Sequence, residues 1–221
     1  IAPQVLRLSP KEAELTKLFA NSWRYLQFAI ANQFYIISES CGVNFNRVYK
    51  ALTHNYPRMK NCSRPGFAAG PCLFKDTIQL SAYHNNNFFL GHAAMLINEG
   101  LPNFLVEQLE KKLGSVAGKK IGILGMAFKA DSDDTRDSLS YKLLKLLTIK
   151  GATVLDTDVY QPTHQALDSI LKVADGLVLG VPHKEYVGLS PTTPYVDCWG
   201  VWDKDVDLGR SPFSVPELMA A

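Results

Sequence analysis

Cys72 ends a small-residue stretch, Gly66-Phe67-Ala68-Ala69-Gly70-Pro71, and precedes a helical pattern carried by Leu73, Phe74, Ile78 and Leu80. Small residues at that density let a backbone approach a ligand closely. A cysteine in the first turn of a helix faces unpaired N–H groups and the positive end of the dipole, and both favour thiolate over thiol. Asp76 follows one turn later on the same face, with Lys75 beside it. A thiolate, a carboxylate and a cation so placed suit covalent catalysis. A lone cysteine near a helix start is more often a small buried hydrophobe, so these residues alone leave both readings standing.

Other groups have the types that chemistry uses. Lys17 and Asn21 are spaced i,i+4 on one helical face, which fits either a joint polar site or a solvated surface. Arg58 and Arg64 flank the approach to the Cys72 loop. Further on, Phe128-Lys129-Ala130-Asp131-Ser132-Asp133-Asp134-Thr135-Arg136-Asp137 is long for a strand-to-helix connection and dense in charge. Lys129 and Arg136 there suit phosphate oxygens, and a solvated charge run is the equal alternative.

The elements that must position these groups fall into two textures. Ser9-Pro10 with Glu12 forms a capping-box signature, and apolar residues recur at helical spacing from Leu15 through Tyr35 to a stop at Cys41-Gly42. The residues before it read as an extended lead-in. A helix of about thirty residues exceeds the usual globular range and reads as a domain spine or dimer contact. Val43–His54 reads as a second helix, the stretch after Cys72 to Tyr83 as a third, and Phe88–Asn98 as a fourth. Gly100 and Pro102 interrupt the pattern, which resumes over Asn103–Leu113.

After Gly114–Gly118 the period changes. Lys119–Gly125, Ala152–Asp156, Gly176–Gly180 and Tyr195–Cys198 read as strands, with helices over Ser138–Lys150 and His164–Lys172 between them. Alternating strands and helices imply a doubly wound parallel sheet. The expected class is therefore α/β, an all-helical domain over 1–113 followed by a Rossmann-like domain over 114–221. The turn Gly122-Ile123-Leu124-Gly125 with Asp156 matches a dinucleotide fingerprint only loosely, because Leu124 stands where the second glycine belongs.

Composition bounds the rest. A chain of 221 residues, 47% hydrophobic, has ample material for a core, and a net charge of +2 gives no reason to expect nucleic acid or an anionic membrane. No apolar run is long enough for a bilayer. Four cysteines without paired spacing point to neither zinc nor a disulfide scaffold, hence to a reducing cytosol, and the five histidines form no metal motif. The opening Ile1-Ala2-Pro3 resembles neither a signal peptide nor an initiator, which suggests a fragment.

Three segments taken together resemble the UDP-glucose/GDP-mannose dehydrogenase family: Ala13–Asn21, Pro65–Asp76, and Gly125–Lys129 with Asp134–Ser138, in the family's order and spacing. The resemblance implies a helical central domain and a nucleotide-sugar-binding C-terminal domain, without the N-terminal domain that holds NAD. It implies oxidation of a sugar's primary alcohol to a carboxylate in two steps. Cys72 would form a thiohemiacetal and then a thioester, Lys17 would stabilise charge on the substrate oxygen with Asn21 adding a hydrogen bond, and Asp76 would orient or activate water. Phe67, Gly70, Lys75, Phe128 and Lys129 would contact substrate, preferably a UDP-sugar. Arg136 would lie near the cofactor, Arg58 would reach a neighbouring subunit's sugar site, and the long helix would make a homodimer. This sequence departs from the family at Ala68-Ala69, at Asn32-Gln33, and at Trp199, where many relatives have an arginine. A non-catalytic dimerisation and nucleotide-binding module and a cysteine-dependent aldehyde dehydrogenase are the competing readings.

Overall fold

The structure, a computed structural model, describes residues 5–203. The first four residues of the lead-in and the end of the second unit, 204–221, lie outside the described residues.

Helix α1 spans Pro10–Ser40. Its start follows from the sequence: the Glu12 N–H donates to Ser9 Oγ, the Ser9 N–H donates to Glu12 Oε2 at 2.7 Å, and Pro10 occupies the first helical position. Leu18, Ser22, Tyr25, Ala29, Asn32 and Tyr35 form its buried stripe. Helix α2, Phe45–Thr53, is capped by Asn44, and a 3₁₀ turn over Pro57–Met59 follows. Helix α3 spans Leu73–Tyr83, and α1 packs against both α3 and the next helix, α4.

Helix α4 runs unbroken over Phe89–Leu113. The sequence expectation of a break at Gly100 and Pro102 is corrected. An internal proline costs about 3 kcal/mol in an isolated helix. Here it withholds one N–H from the carbonyl of Asn98, and the surrounding core holds the helix together: Pro102, Leu101, Phe104, Leu105 and Val106 are all buried.

Four parallel strands follow: β1 (Lys120–Leu124), β2 (Thr153–Thr157), β3 (Gly176–Leu179) and β4 (Tyr195–Val196), in the order β2-β1-β3-β4. Helix α5 (Leu139–Ile149) joins β1 to β2, α6 (Leu167–Val173) joins β2 to β3, and a short α7 (Lys184–Val187) lies between β3 and β4. The chain winds outward from β1 in one direction and then returns to β3 on its other side, the doubly wound pattern read from the sequence. Side-chain alternation sorts the sheet into two faces. Ile121, Ile123, Val178 and Val196 join the residues of α4 and α5 in one core that also takes in Tyr35, Phe45 and Phe67. Leu177 and Leu179 join Ile170 and Tyr186 on the other face. Gly122 lets α6 lie directly on β1, since a Cβ there would come 2.6 Å from Ile170 and 2.7 Å from Leu177.

Candidate active site

Where β1 and β3 diverge, their loops leave a crevice beyond the carboxyl ends of the strands, the usual ligand position in such sheets. A cavity of about 560 Å³ opens there. Its helical side is built from Arg24 and Phe28 of α1 and from the Arg64–Leu73 stretch, and its sheet side from Phe128, Lys129, Asp134, Arg136, Pro182 and Trp199.

Cys72 lines this cavity as the N-cap of α3, exposed, with no side-chain capping bond. The sequence placed it inside the first turn. It stands instead one position before that turn, with its side chain open to the cavity.

Behind it, one turn along α3, Asp76 is fully buried. Its Oδ2 accepts from Lys17 Nζ at 2.5 Å and from Asn21 Nδ2 at 2.5 Å. Lys17 and Asn21, whose spacing alone favours a solvated face, thus meet the Cys72 helix. Burial of Asp76 raises its pKa, but the Lys17 and Asn21 bonds outweigh that, and the net shift is downward. The same bond to Asp76 leads the upward shift of Lys17, with the charge of Cys72 adding to it. Oδ1 of Asp76 is buried without a hydrogen-bond partner among the described residues, and the exposed Lys75 ammonium stands 3.9 Å from it.

The loop before Cys72 is held from both sides. Gly66 donates its N–H to Asn32 Oδ1 at 2.8 Å and accepts from Asn32 Nδ2 at 3.0 Å. The same Nδ2 reaches Asn98 Oδ1 at 2.9 Å, and Asn98 Nδ2 reaches the Tyr25 carbonyl at 3.0 Å. Trp199 packs flat against the loop from the sheet side: a Cβ on Gly66 would come 2.1 Å from its ring. The indole donates to the Gly180 carbonyl at 3.2 Å. Asp197 fixes the turn that carries it by accepting the N–H groups of Trp199, Gly200 and Trp202 at 2.8 to 3.0 Å. Burial pushes the Asp197 carboxyl up.

Gly70 has φ +99°, and a Cβ there would lie 2.6 Å from the Phe128 ring, so loop and aromatic ring interlock. Phe128 and Lys129 are pinned in turn. The Phe128 N–H donates to Asp134 O at 2.9 Å, and Ser138 caps α5 while donating to the Ala127 carbonyl at 2.9 Å. Lys129 Nζ lies 5.5 Å from the Phe128 ring centre. Arg136 is exposed on the rim and pairs with Asp134 at 2.6 Å, and this partner holds the Asp134 carboxyl down at about 2.

Phe67, Gly70, Cys72, Phe128, Lys129 and Arg136 are therefore brought together, with Lys17, Asn21, Lys75 and Asp76 adjoining. Arg58 is not among the cavity's lining residues; it sits exposed on the 3₁₀ turn. Arg24 and Phe28 were missed, although a signal existed. They follow Lys17 at i+7 and i+11, the same helical face. The glycine turn after β1 does not form a dinucleotide cradle. Gly122 is spent on packing α6, a Cβ on Gly125 would meet Val181 at 2.7 Å, and Asp156 is engaged by His164.

Comparison with known proteins bears on the whole of this arrangement. Residues 11–99 match the model of the UDP-glucose/GDP-mannose dehydrogenase family's central domain, and residues 122–204 match that of its UDP binding domain. A UDP-N-acetyl-D-mannosamine dehydrogenase of Pyrococcus horikoshii is 35% identical over 186 residues, covering 80% of this chain and 44% of that protein. Its counterpart from Campylobacter jejuni is 29% identical over 198 residues, 83% of this chain and 48% of that protein. Among solved structures, a UDP-glucose dehydrogenase from Pyrobaculum islandicum superposes with a TM-score of 0.76 at 26% identity, covering 88% of this chain and 49% of that one. The chain thus spans about half the length of the relatives it matches. Two successive domain models in family order, over a helical layer and a doubly wound sheet that meet at the cysteine cavity, lead to one conclusion: the chain belongs to the UDP-glucose/GDP-mannose dehydrogenase family.

Proposed function

We propose that the chain is the thiol-bearing, nucleotide-sugar-binding portion of an NAD-dependent dehydrogenase that oxidises carbon 6 of a UDP-sugar to a carboxylate. The observation that carries this reading is Cys72 at a helix N-cap, opening on the cavity, backed by the Lys17–Asp76–Asn21 cluster. NAD would take up the electrons that leave the sugar, and Arg136 is proposed to face it from the rim. The chain's own residues account for the covalent half of the chemistry.

The Cys72 thiolate attacks the carbon of the sugar aldehyde, forming a C–S bond and placing negative charge on the former carbonyl oxygen. Lys17 keeps one N–H on Asp76 and has others to offer that oxygen, and Asn21 is its neighbour. Loss of a hydride from the adduct carbon, which NAD would accept, leaves a thioester, and water attacks its carbon. Cys72 then leaves as a thiolate that the α3 N-terminus stabilises. Asp76 is proposed to orient or activate that water, taking up its proton, and to keep Lys17 charged. Phe67, Gly70, Lys75, Phe128 and Lys129 are the proposed substrate contacts, with Arg58 offered to a second subunit.

Kinetics on the complete parent enzyme with a panel of nucleotide sugars tests this reading. Cys72→Ala is expected to abolish turnover. Asp76→Asn is expected to slow hydrolysis by about 10²–10⁴-fold and trap sugar on the Cys72 peptide, visible by mass. An active Asp76→Asn enzyme without adduct refutes the role of Asp76.

We further propose a homodimer through α1 and a cytoplasmic setting. Phe19, Trp23, Ile30, Phe34 and Ile37 are between 42% and 60% exposed on one long helix, a patch characteristic of interfaces. All four cysteines are free, which suits a reducing compartment. Among the described residues no helix is long and apolar enough to cross a membrane.

A further inference from the structure

Asp158 and His183 are titratable, almost wholly buried at 5% and 0% exposure, and unused by the chemistry above. They lie just beyond the carboxyl ends of β2 and β3. Asp158 Oδ2 accepts the N–H groups of Met126 at 2.7 Å and Ala127 at 2.9 Å, and Oδ1 accepts that of Tyr160 at 2.9 Å. His183 Nε2 lies 3.1 Å from Asp158 Oδ2. Its Nδ1 takes the backbone N–H of Asp131 at 3.0 Å. That N–H settles the tautomer: Nδ1 must present a lone pair, so the ring proton is on Nε2 and is donated to Asp158.

The segment clamped at both ends by this pair is Met126 to Asp131, and Phe128 and Lys129 lie between the clamps. Those two side chains form the sheet-side wall of the cavity, and Phe128 is the ring that interlocks with Gly70. Asp131 is in the left-handed region at φ +51°, a conformation that its neighbours must hold in place. The groups facing His183 are few. Asp158 and Asp131 bond it as described. The rings of Tyr160, tilted, and Tyr186, edge-on, lie 5.0 and 5.4 Å away, and Lys184 and Glu185 open α7 beside it. Asp131 Oδ1 accepts from the Lys184 N–H at 3.2 Å, so α7 is tied to the same clamp.

We propose that His183 is a positioning residue whose neutral ring holds the Phe128–Lys129 wall in its binding form, so that its protonation releases the wall and weakens nucleotide-sugar binding. A proton on Nδ1 turns the acceptor into a donor aimed at the Asp131 N–H, and the bond is lost. The Nε2 contact to Asp158 is open to the charged ring as well, so acid removes the loop contact alone. The inference rests on the nucleotide-sugar reading of this cavity.

Calorimetric titration of the chain with UDP-glucose, whose diphosphate is a diester and gains no proton in the histidine range, provides the test. Wild type is expected to lose about tenfold in affinity when acid protonates the ring, the scale of one buried hydrogen bond. His183→Asn supplies a non-titrating acceptor for Asp131, and is expected to bind near the wild-type neutral value with no such pH dependence. His183→Leu is expected to bind about tenfold more weakly at every pH. An unchanged pH profile in His183→Asn, or full affinity in a folded His183→Leu, overturns the proposal. Amide exchange provides a second readout that needs no ligand. Protection of the Asp131 amide is expected to fall in acid in wild type and not in His183→Asn. Should wild type fail to bind UDP-glucose at all, the nucleotide-sugar reading falls, while the exchange comparison still decides whether His183 holds the loop.

Discussion

Cys72 and Cys41 are both exposed, yet they occupy opposite poles of their helices: Cys72 is the N-cap of α3 and Cys41 the C-cap of α1. Of the two, only Cys72 opens on the cavity, with Lys17 in its electrostatic reach. Burial pushes the thiol of Cys62 up and that of Cys198 much further. Iodoacetamide labelling followed by mass spectrometry is therefore expected to modify Cys72 first, and faster labelling at Cys41 counts against its role. Gly70 makes a second prediction at this scale. Gly70→Ala forces an L-residue into φ +99° and drives a methyl into Phe128. A loss of about 1–2 kcal/mol is expected, seen as a Tm lower by about 2–8 °C, together with weakened UDP-glucose binding. The pairs Cys72–Asp76 and Lys17–Asn21 were legible as neighbours on a helix face, because each spans one turn. Trp199 on Gly66, and Asn98 behind Asn32, were not, since nothing local marks contacts between residues so far apart in sequence.

Among the elements, α1, α3 and the strands followed from caps and periodicity, and α4 did not. Local rules read Gly100 and Pro102 as a stop. The burial of Leu101, Leu105, Val106 and Leu109 outweighs one missing backbone bond, which only the folded core reveals. Helix α4 also delivers Asn98 to the network that grips Gly66. Asn98→Leu, close in size, removes an acceptor from Asn32, and a loss of about 1–3 kcal/mol is expected as a lower urea midpoint at unchanged slope. The ends of β1 and β2 make a pH prediction. Burial raises the Asp158 carboxyl, but His183 and the N–H groups of Met126 and Tyr160 bring it down from 3.8 to about 2. A carboxylate with a depressed folded pKa stabilises fully above its unfolded value. Its contribution of about 2 kcal/mol is thus intact above about pH 4 and lost as pH falls towards 2. Acid unfolding of Asp158→Asn is expected to show a shallower loss across that window.

At the scale of the molecule, one core joins the helical layer to the sheet: Tyr35, Phe45, Phe67 and Leu105 share a cluster with Ile121, Leu143 and Val178. The described part is expected to melt in one calorimetric transition, and severing the chain between 113 and 114 is expected to leave neither piece folded on its own. The apolar face of α1 leads to an expected dimer by light scattering at micromolar concentration, with Trp23→Glu and Phe34→Glu together giving a monomer. The uninterrupted course of α4 has a consequence for motion. Its first half packs on α1 and α3 and its second half under β3, β4 and α5, so it serves as a common axle for both sides of the cavity. Swinging the sheet away from the helices would shear that axle out of its packing. Whatever occupies the cavity, a nucleotide sugar in our proposal, is therefore expected to enter and leave by local give in the loops, at 126–138 and around Trp199, while the two flanks stay fixed.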